Sequence, residues 1–211
     1  MSEKFPGYDV LGQADRWDDV TKGVVLRRLG PPPALRFFTP DEEAVVRPLV
    51  ERLLGLEEAP ECHVVEQLDA KLTEHVGPGY RHDDMPEDWE VWRQSVHALE
   101  EDARKRKGVA FAELDAGTQR QMLEEIRTTD GDWHGLPASK VWSRWMSDLC
   151  SIFYSHPLVW NEIGFGGPAY PRGYKAHSLS AAVEPWEVHS VDALDPVRWA
   201  NRLAAAKERQ R

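Results

Sequence analysis

The chain has 211 residues, with 36 acidic against 26 basic side chains and a formal net charge of −10. A chain of this length hides roughly 70% of the surface its unfolded form exposes, enough for one real core and a modest appendage. The acidity argues against a phosphate-gripping face for nucleic acid and against binding to an anionic membrane surface.

The opening stretch, "MSEKFPGYDVLGQADRWDD", is charged and broken by Pro6 and Gly7, so it does not read as a signal peptide. "WDDVTKGVVLRRLG" predicts a short first helix stopped by Gly30 and Pro31 to Pro33. Its Arg27-Arg28 pair lacks the apolar stretch an export signal needs and reads as a helix end. The proline run reads as a stiff, extended linker. In "FFTPDEEAVVRPLVERLLG", Thr39 can cap a helix, Pro40 suits its first position and Glu42 completes a capping box. Val45, Leu49, Leu53 and Leu56 then recur at helical spacing, with Pro48 as an expected kink. "APECHVVEQLDAKLTEHVGPG" predicts a helix with Val64 or Val65, Leu68 and Leu72 on one face. A polar helix is expected from Pro86 to Lys107, with Trp89, Trp92, Val96 and Leu99 as a narrow stripe. The next, in "FAELDAGTQRQMLEEIRTTDGD", is expected to be capped by Asp115. The strongest amphipath is "LPASKVWSRWMSDLCSIFYSH", where Val141, Trp142, Trp145, Leu149, Ile152 and Phe153 make a wide apolar face. Asp195-Pro196 opens a charged last helix, and "AAVEPWEV" offers the one alternating, strand-like pattern.

These signals predict an all-α fold, an irregular bundle of six or seven helices. Three regions are expected: an N-terminal arm over 1–35, a helical domain over 36–178 and a C-terminal tail over 179–211. No run approaches the ~18 apolar residues of a spanning helix, so direct membrane insertion is not expected. The chain as written reads as cytoplasmic, with co-export on a partner as the alternative. The two cysteines, Cys62 and Cys150, are too few for a disulfide framework. They read as buried free thiols, with a single long-range bridge as the alternative.

Chemistry is hard to find. There is no GxGxxG after a strand, no GxxxxGK[ST] and no GxSxG. "GFGGP" follows a helix and leads into proline, so it does not cradle phosphate. Cys62, His63 and Glu66, and separately His82, Asp83 and Asp84, sit close together in sequence. Their bland reading is a helix N-terminus with acids that suit its dipole, and an Asp-rich turn. Glu42, Glu43, Glu124, Glu125 and the 100–102 run read as solvent faces of helices, without the desolvated member that an acid–base pair needs. His156, ending a helix, reads as a cation on the helix dipole. Trp17, Trp160, Trp186 and Trp199 cannot all reach one small core, and aromatics outside a core are what a partner interface uses.

The segment "WNEIGFGGPAYPRGYKAH", Trp160 to His177, combines structure-breaking glycines and prolines with large aromatics. It reads as a loop that docks on a partner or folds back over its own helices. "FYSHPLVWNEIGFGGPAYPRGY" strongly resembles the C-terminal signature of the gluconate 2-dehydrogenase subunit 3 family. "RFFTPDEEAVVRPLVERLL", "QLDAKL" and "GVAFAELDAGTQRQMLEEI" resemble its earlier helices, so the resemblance covers roughly Arg36 to Tyr174.

The resemblance implies a small accessory subunit with no catalytic, cofactor or metal site of its own. Its implied partner is a glucose–methanol–choline type large subunit, in a heterodimer or larger complex. That partner carries FAD and oxidises a sugar, polyol or glycoside; where electrons leave that way, a cytochrome c subunit joins. Carried onto this sequence, the signature puts the interface or structural loop on Trp160, Asn161, Glu162, Gly164, Phe165, Gly166, Gly167, Pro168, Tyr170, Pro171, Arg172, Gly173 and Tyr174. Phe5, Tyr8 and Trp17 are expected to form a second docking arm. A free-standing metal-dependent enzyme built on the His/Asp/Glu clusters, and a general redox-protein chaperone or scaffold, remain as alternatives.

Overall fold

A computed structural model describes residues 9–56, 62–80 and 82–168. Its contacts divide the chain into two compact units. One is built on Val25–Trp160, and the other pairs Glu3–Val24 with Asn161–Arg211. The described residues are mostly helical, as expected. Seven α-helices run α1 (Asp19–Arg27), α2 (Pro40–Leu54), α3 (Val64–Thr73), α4 (Asp88–Lys107), α5 (Ala116–Thr128), α6 (Ala138–Phe153) and α7 (Pro157–Ile163). Short 3-10 helices cover Val10–Arg16 and Phe111–Glu113. The strand-like "AAVEPWEV" and the charged last helix lie outside the described residues.

The helix boundaries follow from local chemistry. Thr39 Oγ1 accepts from the Glu42 amide at 3.3 Å while Glu42 Oε2 accepts from the Thr39 amide at 2.9 Å. This reciprocal capping box, with Pro40 behind it, starts α2. Gly55, in the left-handed region at φ 64°, ends it. Asp115 caps α5 through the Thr118 amide. Glu42 departs from its solvent-face reading: it is buried, and its carboxylate meets His97 at 2.9 Å and Arg93 at 3.3 Å. The second oxygen of a capping-box glutamate is free to pair inward, and α4 supplies the partners.

In the first unit α2, α3, α4, α5 and α6 pack around one apolar core that includes Val46, Leu49, Leu68, Leu99, Phe111 and Leu149. Its centre is aromatic. Trp145 lies 6.3 Å from Trp92 and 5.9 Å from Trp133, ring centre to ring centre. Each of these indole N–H groups finds an acceptor: Trp92 on Asp148 at 2.8 Å, Trp145 on Ser95 at 3.0 Å, Trp133 on Asp102 at 2.9 Å. A buried indole needs such a partner. Trp142, on the expected apolar face of α6, is only half-buried beside Trp145.

Two buried carboxylates tie the helices together. Asp69 on α3 accepts from the backbone amides of Arg36, Phe37 and Phe38 at 2.7–2.9 Å, fixing the approach to α2. Asp148 on α6 meets Lys71 at 2.6 Å and Arg144 at 3.3 Å besides Trp92. A small antiparallel hairpin, β1 (Asp132–Trp133) and β2 (Leu136–Pro137), precedes α6. Its two-residue turn puts His134 and Gly135 both at positive φ, 51° and 81°, as a primed hairpin turn requires.

Candidate functional site at the end of the helical bundle

The aromatic, glycine-rich segment begins at Trp160, inside the first unit and a few residues after α6 ends. The last carbonyls of a helix lack intrahelical partners, and here two side chains supply them. Trp160 Nε1 donates to the Tyr154 carbonyl at 2.7 Å, and Arg28 Nη1 donates to the Ser155 carbonyl at 2.7 Å. The Arg28 guanidinium also lies over the Trp160 ring, 5.9 Å from its centre. Pro157 opens α7, a position that costs no backbone bond. His156 Nδ1 accepts the Leu158 amide at 3.4 Å, and the ring is hydrogen-bonded to the Arg28 backbone.

This arrangement corrects two expectations. His156 is buried, and burial pulls its pKa below the ordinary 6.5, so the ring is held neutral. It serves the start of α7 rather than acting as a cation at the end of α6. The segment also does not begin as a structureless loop, because Trp160, Asn161, Glu162 and Ile163 belong to α7. Trp160 is buried, not presented for docking. Its large apolar ring and its indole N–H are both used within the fold.

In the second unit the segment continues with Gly164 at φ 68° and Gly167 at φ 75°, separated by Phe165 and Gly166. Against it lies the 3-10 helix Val10–Arg16, started by Asp9, whose side chain accepts from the Leu11 amide at 3.0 Å. The Val10 amide donates to Asn161 Oδ1 at 2.8 Å. Gln13 Nε2 donates to the Gly166 carbonyl. A Cβ on Gly167 would come within 2.9 Å of Val10 Cγ2 and 3.1 Å of both Gln13 Nε2 and Trp17 Cζ2. Glycine at 167 is therefore required twice, by backbone angle and by space. Val10, Gln13 and Trp17 are all buried. Trp17, expected to reach out as a docking arm, is thus packed inward. Phe5 and Tyr8 lie outside the described residues, as do Tyr170, Pro171, Arg172, Gly173 and Tyr174.

Other parts of the segment face outward. Ile163 is 48% exposed and Phe165 is 43% exposed. Glu162 and Pro168 are half-buried. Sequence reasoning missed the roles of Val10, Gln13 and Arg28, whose partners stand more than a hundred positions away. The one legible signal was Asp9 ahead of Val10, a capping residue at the head of a turn.

The two candidate metal clusters resolve into other contacts. Glu66 pairs with Arg47 at 2.9 Å. Cys62 is buried, and burial pushes its thiol up to about 11. Asp84 pairs with Lys140, and His82 packs edge-on against Tyr80. Among the described residues no group of three or more His, Cys, Asp or Glu side chains could hold a metal ion, and Cys62 and Cys150 are free thiols. A cleft of about 50 Å³ opens between Tyr80, His82, Asp88, Lys140, Arg144 and Ser147. By volume it suits a few waters rather than a hexose or a flavin ring. Burial raises the Asp88 carboxyl there, against the opposing pull of Arg144 at 3.1 Å.

Among known families, the description "Gluconate 2-dehydrogenase subunit 3" matches residues 40–167, from the first residue of α2 to the glycine packed beneath Val10. The chain belongs to the gluconate 2-dehydrogenase subunit 3 family. The match bears out the resemblance read from the helices and the terminal signature. No curated protein and no solved structure matches the chain. The family match ends at Gly167 and begins after the arm, so the 3-10 helix that seats on the signature comes from outside the matched length. Among the described residues no helix is long and apolar enough to cross a membrane.

Proposed function

We infer that this chain is the non-catalytic small subunit of an FAD-dependent sugar or glycoside dehydrogenase. It binds and stabilises, or helps to mature, a glucose–methanol–choline type large subunit that holds the flavin. The observation that carries this reading is the family match over 40–167, which names the chain's kind as one subunit of an oxidoreductase. Two features of the fold support it. Several charged groups of the first unit are engaged in holding turns and helices: Asp69 on three amides, Asp148 on Lys71 and Trp92, Arg28 on a helix end. The signature meanwhile presents Ile163 and Phe165 to solvent on a hydrogen-bonded frame. Apolar side chains held on a preformed frame lose little freedom when they dock.

The test is affinity purification of the tagged chain from its native cells, followed by an absorbance spectrum and a dye-linked sugar oxidation assay on the eluate. A stoichiometric partner with flavin bands and sugar-oxidising activity is expected. Elution of the soluble chain alone and colourless would reject the subunit role, and a partner without flavin would favour a scaffold for another redox protein.

A further inference from the structure

We propose that the N-terminal arm, residues 9–17, is an intramolecular strap whose receptor is the family signature itself, and that it sets the shape in which the signature meets the partner. The proposal rests on the subunit reading for its last step only. The strap is specified from both sides. On the signature, Asn161 offers a side-chain acceptor to the Val10 amide at 2.8 Å, Gly166 a carbonyl to Gln13, and Gly167 an open surface. On the arm, Asp9 starts the 3-10 turn, and Val10, Gln13 and Trp17 bury their side chains.

A backbone amide at the start of a short helix has no partner in its own helix. Val10 is such an amide, and a side chain 151 positions away answers it. Gly167 adds the steric half of the recognition. At φ 75° with Val10, Gln13 and Trp17 all closer than an ordinary Cβ contact would permit, any side chain at 167 would push the arm off. The glycines therefore serve two purposes: they turn the chain, and at Gly167 they let the arm's side chains approach the backbone closely. A 3-10 turn this short cannot hold itself in water. Its order depends on the signature, and the order of the glycine-rich segment depends in turn on it. Arm and signature are a single ordering unit, so the arm governs docking through Asn161–Gly167 without touching the partner.

Amide hydrogen exchange on the full chain tests this directly, with two substitutions. In the unaltered protein the Val10 amide is expected to be protected. Gly167→Ala is expected to speed its exchange by at least about tenfold, leaving α6 amides unchanged. Asn161→Ala, which adds no bulk, is expected to expose the Val10 amide selectively. An unaltered chain whose Val10 amide exchanges like that of a free peptide would overturn the proposal, as would a Gly167→Ala protein with unchanged exchange. The same proteins are then titrated against the flavoprotein. Both substitutions are expected to weaken binding about tenfold or more. Faster arm exchange with undiminished flavoprotein affinity would refute the arm's control of docking. Failure of the unaltered chain to bind any flavoprotein would instead refute the subunit reading, and the exchange result would still decide whether the strap exists.

Discussion

Replacing Asp69 with alanine should strongly destabilise the first unit. The carboxylate is fully buried and accepts three backbone amides, from Arg36 at 2.7 Å, Phe37 at 2.9 Å and Phe38 at 2.8 Å. Three successive N–H groups converging on one carboxylate fix the bend at Phe37 and Phe38 before the chain enters α2. Alanine removes both acceptor oxygens, and with them all three hydrogen bonds. Hydrogen bonds to a charged acceptor are worth about 1.5–3 kcal/mol each. The Arg36 and Phe37 sites are partly open to water and recover some of that loss, whereas the Phe38 amide is buried. The expected cost is therefore about 3–5 kcal/mol, a large share of the roughly 5–15 kcal/mol that stabilises a typical domain. The milder substitution Asp69→Asn keeps one acceptor oxygen and should fall between alanine and the parent. Urea titration followed by far-UV circular dichroism measures both, and an unchanged slope would show that stability fell with no change in the surface exposed on unfolding. A loss below about 1 kcal/mol for Asp69→Ala would refute the account of how α2 is positioned.

Two further outcomes follow from burial. His156 has its pKa lowered from 6.5 by burial, so the unfolded chain takes up a proton there before the folded chain does. Above about pH 6.5 the ring costs nothing, and as pH falls below that value it penalises folding by up to about 1.4 kcal/mol per pH unit. Urea titrations from about pH 7.5 down to about pH 5 should show a shallower acid limb for His156→Gln, and superimposable limbs would refute a buried neutral ring. Burial pushes the Cys62 thiol from 9.0 up to about 11, which lowers its thiolate about a hundredfold at about pH 8. In the native protein a thiol reagent should modify the half-buried Cys150 first and reach Cys62 only on unfolding; peptide mapping of the modified protein decides it.

The helices were legible because each carries its own instructions. The Thr39–Pro40–Glu42 start of α2, the Asp115 cap of α5 and the apolar face of α6 all depend on neighbours within a few residues. The hairpin before α6 was not legible, because strands of two residues are too short to show alternation. Glu42 was misread for a different reason: a capping glutamate looks the same in sequence whether its outer oxygen meets water or, as here, His97 on another helix. Trp17 and Trp160 were misplaced because their burial depends on contacts between distant parts of the chain. At the candidate site the family signature was recognisable as a string, but nothing in the string says that Asn161 and Gly167 face Val10.

The mixture of glycine and aromatic residues that makes this segment unusual has a physical resolution. Trp160 and the glycines act in opposite ways at neighbouring positions. The tryptophan fastens the start of the segment to the end of α6, giving its indole N–H to the Tyr154 carbonyl while Arg28 covers its ring. Gly164 and Gly167 then let the backbone turn at positive φ, and Gly167 admits the arm at a distance no side chain would permit. One residue anchors, the others make room. What remains exposed between them, Ile163 and Phe165, is held on both sides: by the Val10–Asn161 bond before, and by the Gln13–Gly166 bond after. An apolar pair on a free loop would lose much of its docking energy to ordering, whereas a pair clamped on both sides has already met that cost in folding. The economy of the segment thus lies in its small residues, and Gly167 is the position where a single methyl group would separate folding of the arm from folding of the bundle.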